Sequence, residues 1–417
     1  MSEWKEKTLG ELSIRVSSGL TPLKSNKEFW ENPIIPWLKT DQLGEKYIFD
    51  TNTKISKEAL EQTSLRIYPE NTISIAMYGE GKTRGNLSII KAPMTTNQAC
   101  CNIELDTKLA DVEYVYYYLK TQYDALRKLS SGVRKNLNSN DIKNYKIYIP
   151  ESVSFQKSIV RILTSLDNKI SVNNQINQEL EAMAKTLYDY WFVQFDFPDQ
   201  NGNLYKSSGG KMVYHPELKR EIPEGWGVAK VEDIAQTGSG GTPKSTNVSY
   251  YSNGEIPWIN SGELEQTVIT STSNFITEEG LNNSSAKLFP SGTILVAMYG
   301  ATAGKVSFLT FEASTNQAIC AIMLTDIRMR YYLKNVIEDL YQYLVKLSTG
   351  SARDNLSQDM IKNIKVVIPS NDILDRFYDF SNNIIKEITK KQQENEQLTQ
   401  LRDWLLPMLM NGQVKVE

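Results

Sequence analysis

The sequence predicts an α+β fold in which two similar globular domains are each followed by a long helix. The first observation is an internal repeat. Seven short blocks recur in the same order, 218 to 221 residues apart, as in Thr21-Pro22 and Thr242-Pro243. The second is a change, after each copy, to apolar residues spaced three and four apart. Ordered blocks at a nearly constant offset indicate a duplication, so we expect two half-molecules related by a pseudo-twofold axis.

Length and composition bound the class of protein. A chain of 417 residues exceeds one ordinary core, and 40% hydrophobic residues with 22 Tyr and 7 Trp argue against disorder. No apolar run approaches the roughly 20 residues that span a bilayer. Residues 1–5 show no secretory or transit pattern. We therefore expect a cytoplasmic protein without a membrane segment.

Cysteine and histidine limit the chemistry available to the chain. Cys100, Cys101 and Cys320 lack the spacing of a metal site, so we expect reduced thiols and no bound metal. Cys101 and Cys320 occupy matching positions in an apolar run, which favours small core residues. The lone histidine, His215, would have to serve any His-based catalysis.

Each copy is predicted to mix strands and helices. The first domain should cover residues 1–150 and the second residues 222–369. β-branched and aromatic runs between turn-forming clusters predict strands, at residues 72–78, 143–150, 292–299 and 362–369. One helical stretch is predicted in each copy, at residues 112–128 and 327–346.

Two long helices are predicted after the copies, over residues 155–191 and 377–409. Their narrow apolar seams suit an antiparallel coiled coil. Both seams become polar near the middle, at Asn173-Asn174 and at Lys391 and Asn395. The polar stretches could meet and fix the register, or could be a water-exposed interval between apolar patches. Residues 151–221 should comprise the first helix and an exposed connector, and residues 370–417 the second helix.

Loops of equal length but different side chains indicate a DNA-contacting surface. Sixteen residues separate Thr21 from Trp37 and also Thr242 from Trp258. Lys, Ser, Thr and Asn suit phosphates and base edges, and glycine loops let backbone N–H groups approach phosphates. The candidate contacts in the first copy are Thr21, Lys24, Ser25, Asn26, Tyr78, Lys82, Arg84, Asn97, Gln98, Arg134 and Asn136. Those in the second copy are Thr242, Lys244, Ser245, Thr246, Tyr299, Thr302, Lys305, Asn316, Gln317, Arg353 and Asn355.

Other interpretations of the same residues stay open. Any one of these polar residues could belong to an ordinary turn, and Asn97-Gln98 could be capping amides instead of base contacts. A net charge of −3 is low for a free-standing DNA-binding protein, so partners would supply part of the phosphate contact. Asp199, Glu217 and Lys219 imitate a metal-nuclease set, but they fall on the predicted connector. A scaffold whose two domains bind proteins is a further alternative.

The ordered motifs resemble those of the specificity subunit (HsdS) of type I restriction-modification systems. They are Gly240-Gly241-Thr242-Pro243, Ile256-Pro257-Trp258, Met298-Tyr299-Gly300, Thr315-Asn316-Gln317-Ala318 and Ile368-Pro369, with their counterparts in the first copy. The terminal stretch at residues 401–407 is also similar to that family's C-terminal helix. In the first copy, residues 79–85 depart from the expected Gly-Ala-Thr-x-Gly-Lys pattern.

The resemblance implies a non-catalytic subunit that binds double-stranded DNA. Two target recognition domains would each read one half of a bipartite, asymmetric target, and the paired helices would set the gap. The chain itself would bind no cofactor. Two modification subunits would bring S-adenosylmethionine and methylate adenine N6. Two restriction subunits, dependent on ATP and Mg²⁺, would translocate and cut DNA.

Overall fold

A computed structural model describes residues 4–79, 83–129, 136–300, 302–347 and 356–414. The chain folds into two compact units. The first contains residues 1–169 and 397–417, and the second contains residues 170–396. Each unit therefore holds one mixed domain together with a segment of each long helix.

In its described residues the first domain has ten strands and four short helices, and the long helix α5 (Val153–Tyr188) follows it. The strands are β1 (Trp4–Thr8), β2 (Ser13–Ser18), β3 (Ile35–Leu38), β4 (Tyr47–Ile48), β5 (Lys54–Ile55), β6 (Ile73–Ala76), β7 (Leu87–Ile90), β8 (Thr95–Thr96), β9 (Cys100–Leu105) and β10 (Lys146–Pro150). The helices are α1 (Lys57–Glu61), α2 (Val112–Thr121), α3 (Tyr123–Lys128) and α4 (Ser139–Lys143).

The second domain repeats this arrangement after a short hairpin of β11 (Met212–His215) and β12 (Arg220–Pro223). Its strands are β13 (Gly227–Lys230), β14 (Ala235–Ser239), β15 (Ile256–Ile259), β16 (Val268–Ile269), β17 (Phe275–Ile276), β18 (Leu288–Phe289), β19 (Ile294–Ala297), β20 (Val306–Leu309), β21 (Ala313–Thr315), β22 (Ile319–Leu324) and β23 (Lys365–Ile368). Its helices are α6 (Val231–Ile234), α7 (Glu278–Asn282), α8 (Arg330–Leu347) and α9 (Gln358–Lys362), and the long helix α10 (Asn371–Met410) follows.

The sheet topology confirms the duplication. The five-stranded sheet has the order β2-β9-β6-β7-β4 in the first domain and β14-β22-β19-β20-β16 in the second. The register is also repeated: Ile73 faces Ile103, and Ile294 faces Ile322. These central strands are buried on both faces, which explains their continuous apolar sequence. Cys101 and Cys320 lie in them as buried residues, and burial raises the pKa of both thiols to about 12.

The long helices run antiparallel within each unit, as the sequence predicts. In the first unit, Asp167 of α5 accepts a hydrogen bond from Arg402 of α10 (2.9 Å), and Ile159 lies in one apolar core with Leu409. In the second unit, residue numbers again rise along α5 as they fall along α10. Asn173 contacts Asn395, and the Trp191 ring lies 6.1 Å from that of Phe377.

The polar stretches of the two seams meet inside the second unit. Asn173 is fully buried, and its Nδ2 donates to Glu394 (2.8 Å) and to Asn395 (2.9 Å). Asn395 donates in turn to Asn174 (2.8 Å). The interpretation of a water-exposed interval is therefore wrong for Asn173.

One equivalent position in the two domains contacts the helix pair by different chemistry. In the first unit, Lys46 before β4 pairs with Glu113 (2.8 Å) and with Asp167 of α5 (3.5 Å). Burial, and then the hydrogen bond to Asp167, raise the pKa of the neighbouring Tyr117. In the second unit, the residue equivalent to Lys46 is Thr267, which donates a hydrogen bond to Glu181 of α5 (2.6 Å). At this position the contact is ionic in the first unit and made by a neutral hydroxyl in the second. Ion pairs at other positions, Lys185 with Asp339 (3.1 Å) and Arg328 with Asp375 (2.8 Å), also join the second domain to the helices.

The connector is exposed along most of residues 199–221, as predicted, but it is folded. The β11–β12 hairpin lies within it, and the aromatic rings of Phe197, Tyr205 and Trp226 stack, with centroids 4.6 and 5.0 Å apart. The sequence did not predict this hairpin because each of its strands has only four residues. None of the described helices is long and apolar enough to cross a membrane.

Candidate nucleic-acid interface

The first candidate loop, residues 21–30, is held by three side-chain hydrogen bonds to its own segment. We call it the first clamped loop. The indole of Trp37 donates to the carbonyl of Leu20 (3.0 Å) just before the loop, and the indole of Trp30 donates to that of Leu23 (3.2 Å). Asn26 accepts from the backbone N–H of Glu28 (3.2 Å) and so caps the short 3₁₀ helix of residues 27–29. These bonds fix both ends of the loop.

The second clamped loop, residues 242–251, has three corresponding bonds, although one comes from a tyrosine hydroxyl and reaches a carbonyl one residue earlier in the loop. The indole of Trp258 donates to Gly241 (3.0 Å), and the hydroxyl of Tyr251 donates to the carbonyl of Pro243. Asn247 accepts from the N–H of Ser249 (3.3 Å). Backbone dihedral angles at the capping asparagines agree, with φ/ψ of −86°/102° in the first loop and −96°/100° in the second. The two loops therefore share one conformation.

Glycine permits the close approach of each loop to the sheet. A Cβ at Gly19 would lie 2.2 Å from the backbone oxygen of Thr96, and a Cβ at Gly240 would lie 2.0 Å from that of Thr315. No side chain fits at these distances. The glycine before each Thr-Pro is thus required by packing against the Thr-Asn-Gln segment.

Several predicted DNA contacts already bond inside the protein. The hydroxyl of Thr21 donates to Gln98, and that of Thr242 donates to Gln317. Asn97 accepts from the N–H two residues on (3.1 Å), as does Asn316 (3.1 Å). These contacts support the capping interpretation for the side-chain oxygens of the asparagines. The amide nitrogen of Asn316 donates to Asn260 (3.4 Å), and its second hydrogen could still bond to a ligand.

The side chains that point away from the loops differ between the copies. All of the following are exposed: Leu23, Lys24, Ser25, Lys27 and Glu28 in the first loop, and Lys244, Ser245, Thr246, Val248 and Ser249 in the second. The structure thus keeps the internal bonds and varies the outward groups. Sequence reasoning missed Trp30 and Tyr251 as residues that position the loops. The sequence feature that could have identified them is an aromatic residue at the same position in both copies of the repeat.

The Met-Tyr-Gly segment of each domain, residues 77–79 and 298–300, lies beside the chain that begins at residue 136 or 356. The N–H of Leu137 donates to the carbonyl of Met77 (3.2 Å), and the N–H of Leu356 donates to that of Met298 (2.8 Å). In the first domain this places exposed Asn136 near Tyr78, and Ser139 bonds to Ser18 (2.9 Å), the last residue of β2 before the clamped loop. In the second domain, Ser239 at the end of β14 bonds to Gln358 (3.0 Å). The clamped loop and these two segments therefore meet at one end of the strands in each five-stranded sheet.

The remaining candidate DNA contacts are exposed, packed or bonded within the protein, or outside the described residues. Lys305 is exposed and Arg84 is partly buried, whereas Tyr299 packs partly into the core. Thr302 is buried, and its hydroxyl donates to the carbonyl of Ser261 (2.7 Å), so it is a structural group. The predictions for Lys82, Arg134, Arg353 and Asn355 lie outside the described residues.

Two of the three nuclease-like residues, Glu217 and Asp199, form contacts within the protein. Glu217 pairs with Lys365 (3.1 Å), and this contact lowers the pKa of its carboxyl. Asp199 accepts from the N–H groups of Asn201 (2.8 Å) and Asn203 (2.9 Å) and so shapes a turn. In the parts of the chain that the structure describes, no group of three His, Cys, Asp or Glu residues could hold a metal ion.

Comparisons with known proteins agree with this architecture. The model of the family described as the type I restriction modification DNA specificity domain matches residues 1–182 and 223–400. The chain therefore belongs to the specificity subunits of type I restriction-modification systems. It is a DNA specificity subunit with two target recognition domains, and by family it is the non-catalytic member of the complex.

Individual relatives cover the full chain. The MjaIX specificity subunit of Methanocaldococcus jannaschii is 28% identical over 100% of this chain and 94% of its own length. The HindI specificity subunit of Haemophilus influenzae is 25% identical over 99% of this chain and 100% of its own. The crystal structure of an S subunit from M. genitalium aligns with a TM-score of 0.58 at 16% identity, covering 98% of this chain and 96% of that one. That likeness shows the fold.

Proposed function

We propose that each target recognition domain reads one half of a bipartite, asymmetric DNA sequence through its clamped loop. The observation that supports this is internal to the chain. Two loops of one conformation, held by equivalent hydrogen bonds, present different exposed side chains. Conserved internal bonds with different outward groups are what two loops that read different sequences would have. The two half-sites should therefore differ in sequence.

The long helices act in this proposal as a spacer that sets the unread gap. The 36 residues of α5 span roughly 54 Å at 1.5 Å per residue. The buried contact of Asn173 with Glu394 and Asn395 fixes how the helices align within the second unit. A fixed alignment favours one gap length over its neighbours.

The chemistry of modification and cleavage is assigned to partner subunits. Two modification subunits would bind S-adenosylmethionine and methylate adenine N6, and two restriction subunits would use ATP and Mg²⁺. The whole assembly would work in the cytoplasm. The chain's net charge of −3 supports this division, because partners would then supply much of the phosphate contact.

An exchange of loop side chains tests the proposal. Lys244→Leu, Ser245→Lys, Thr246→Ser, Val248→Lys and Ser249→Glu together give the second loop the outward groups of the first. Adenine methylation would be mapped across genomic DNA from cells that express the variant with its modification partner. We expect a changed second half-site, an unchanged first half-site and an unchanged gap.

The control and the contrary results are clear. Gln236→Lys changes an exposed residue of β14 outside the loops and should leave the methylated sequence as it is. An unaltered second half-site in the exchanged variant would show that the loops do not read bases. Methylation without any sequence preference would instead favour a scaffold role for both domains.

A further inference from the structure

Each clamped loop exposes one aliphatic side chain among polar neighbours. Leu23 and Val248 are each 69% exposed. Their surroundings are braced, because Trp30 holds the carbonyl of Leu23 and Asn247 caps the helix that begins at Val248. An aliphatic group left in water gains nothing from burial in the free protein. Its gain can come only from a surface that covers it.

The two loops exchange an aliphatic residue for a lysine at the same two positions. The structural equivalent of Leu23 is Lys244, and the equivalent of Val248 is Lys27. The first loop therefore carries an aliphatic group at its start and a cation four residues later, and the second carries them in the opposite order. The backbone between them is alike in both loops.

Such a reciprocal exchange is what two different base patterns require. In the major groove only thymine presents a methyl group, whereas guanine presents two acceptors that a lysine can bond. An aliphatic side chain suits the first, and an ammonium group suits the second or a phosphate. Neither Leu23 nor Val248 can contribute a hydrogen bond from its side chain.

We propose that Leu23 and Val248 contact thymine methyl groups of the DNA target, one in each half-site. This rests on the proposed reading of half-sites by the clamped loops. It adds the chemistry that each loop selects and two residues that polarity alone would not identify. The first half-site then contains a thymine that depends on Leu23, and the second contains one that depends on Val248.

Replacing thymine by deoxyuridine tests the contact directly, since uracil lacks the methyl group but keeps the same hydrogen-bonding edge. The complex of this chain with its modification subunits would be titrated with target duplexes in which each thymine is replaced in turn. We expect one position in each half-site to weaken binding by about fourfold, the effect of one lost buried methyl group.

Variants assign each methyl group to its residue. Leu23→Ala should bind thymine and uracil duplexes equally at the first position and still distinguish them at the second, and Val248→Ala should do the reverse. Both side chains are exposed, so the fold should be kept, which far-UV circular dichroism and a thermal melt would check. Ile14→Ala is the matched control, because Ile14 is 75% exposed on strand β2 outside the loop. It should retain both discriminations.

The results separate this proposal from the one on which it rests. A target with a defined sequence but no thymine-specific position, or a Leu23→Ala complex that still distinguishes thymine from uracil at every position, overturns the methyl contact alone. A half-site with no thymine on either strand overturns it for that domain. A complex without any sequence preference overturns the reading of half-sites as well.

Discussion

At the scale of residues, duplication separates the groups that hold a loop from those that contact its ligand. Motifs such as Thr-Pro and Ile-Pro-Trp located the loops in the sequence and showed that the two loops have equal length. The sequence did not predict the hydrogen-bond partners of Trp37 and Tyr251, because a bond between an aromatic side chain and a distant carbonyl depends on the folded backbone. The burial of Thr302 also depends on the tertiary structure. The sequence therefore made Thr302 a candidate DNA contact without showing that it is buried.

Removal of one hydroxyl tests the clamp. Tyr251→Phe deletes the hydrogen bond to the carbonyl of Pro243 and keeps the ring against Trp258. We expect a loss of about 1 kcal/mol in the free energy of unfolding, together with weaker discrimination in the second half-site only. Chemical denaturation and competition binding would measure these. Tyr250→Phe, in the same loop, is the control, and equal effects of the two variants would contradict a positioning role.

Lys305 offers a test of phosphate contact. It is exposed and directly follows Gly304 in the second domain. Lys305→Ala should weaken binding to all sequences by a similar factor and reduce the slope of log affinity against log salt by about one. Binding would be titrated at several salt concentrations, with Lys206→Ala in the connector as the control. Relaxed preference at a single base pair would identify Lys305 as a base contact instead.

At the scale of elements, apolar spacing predicted the long helices well because a seam of three- and four-residue steps is a property of local sequence. Helix α5 begins at Val153 and α10 ends at Met410, close to the predicted limits. The helix predicted over residues 112–128 is divided at Gln122 into α2 and α3. The apolar pattern continues across this break, so periodicity did not reveal it.

The buried Asn173 should lower the stability of the helix pair and restrict the two helices to one register. Asn173→Leu together with Asn395→Leu replaces a polar contact in the seam by apolar packing, and we expect a higher melting temperature. The gap should become less strictly defined, so that methylation extends to targets one base pair longer or shorter. Sequencing of methylated sites would measure this. Gln175→Leu, exposed on the same helix, is the control. A double variant with an unchanged gap would exclude a register function.

At the scale of the whole molecule, the internal repeat predicted two domains, two helices and their order. The pseudo-twofold axis between the domains stays a prediction. The different attachments of the domains to their helices could not be foreseen, because Lys46 and Thr267 occupy equivalent positions but depend on partners far along the chain. The repeat predicts the order of the strands and helices, whereas the charged contacts differ between the two copies.

Lengthening the helix pair should lengthen the DNA gap. Seven residues inserted within 175–182 of α5, with seven more in the facing segment 386–392 of α10, add roughly 10.5 Å, or about three base pairs. Both half-sites should be unchanged, and methylation mapping would show this. Insertion in α5 alone mismatches the seams and should lower the melting temperature. A new half-site in the matched variant would contradict the spacer role.

The contact of Asn173 with Glu394 and Asn395 also limits how far the two long helices can slide past each other. A shift of one helix by a full turn would move the amide of Asn173 away from both acceptors and leave a fully buried polar group without a partner. Asn395 would lose its bond to Asn174 in the same movement. Sliding is therefore opposed at one point in the second unit, even where the apolar spacing on either side would permit it.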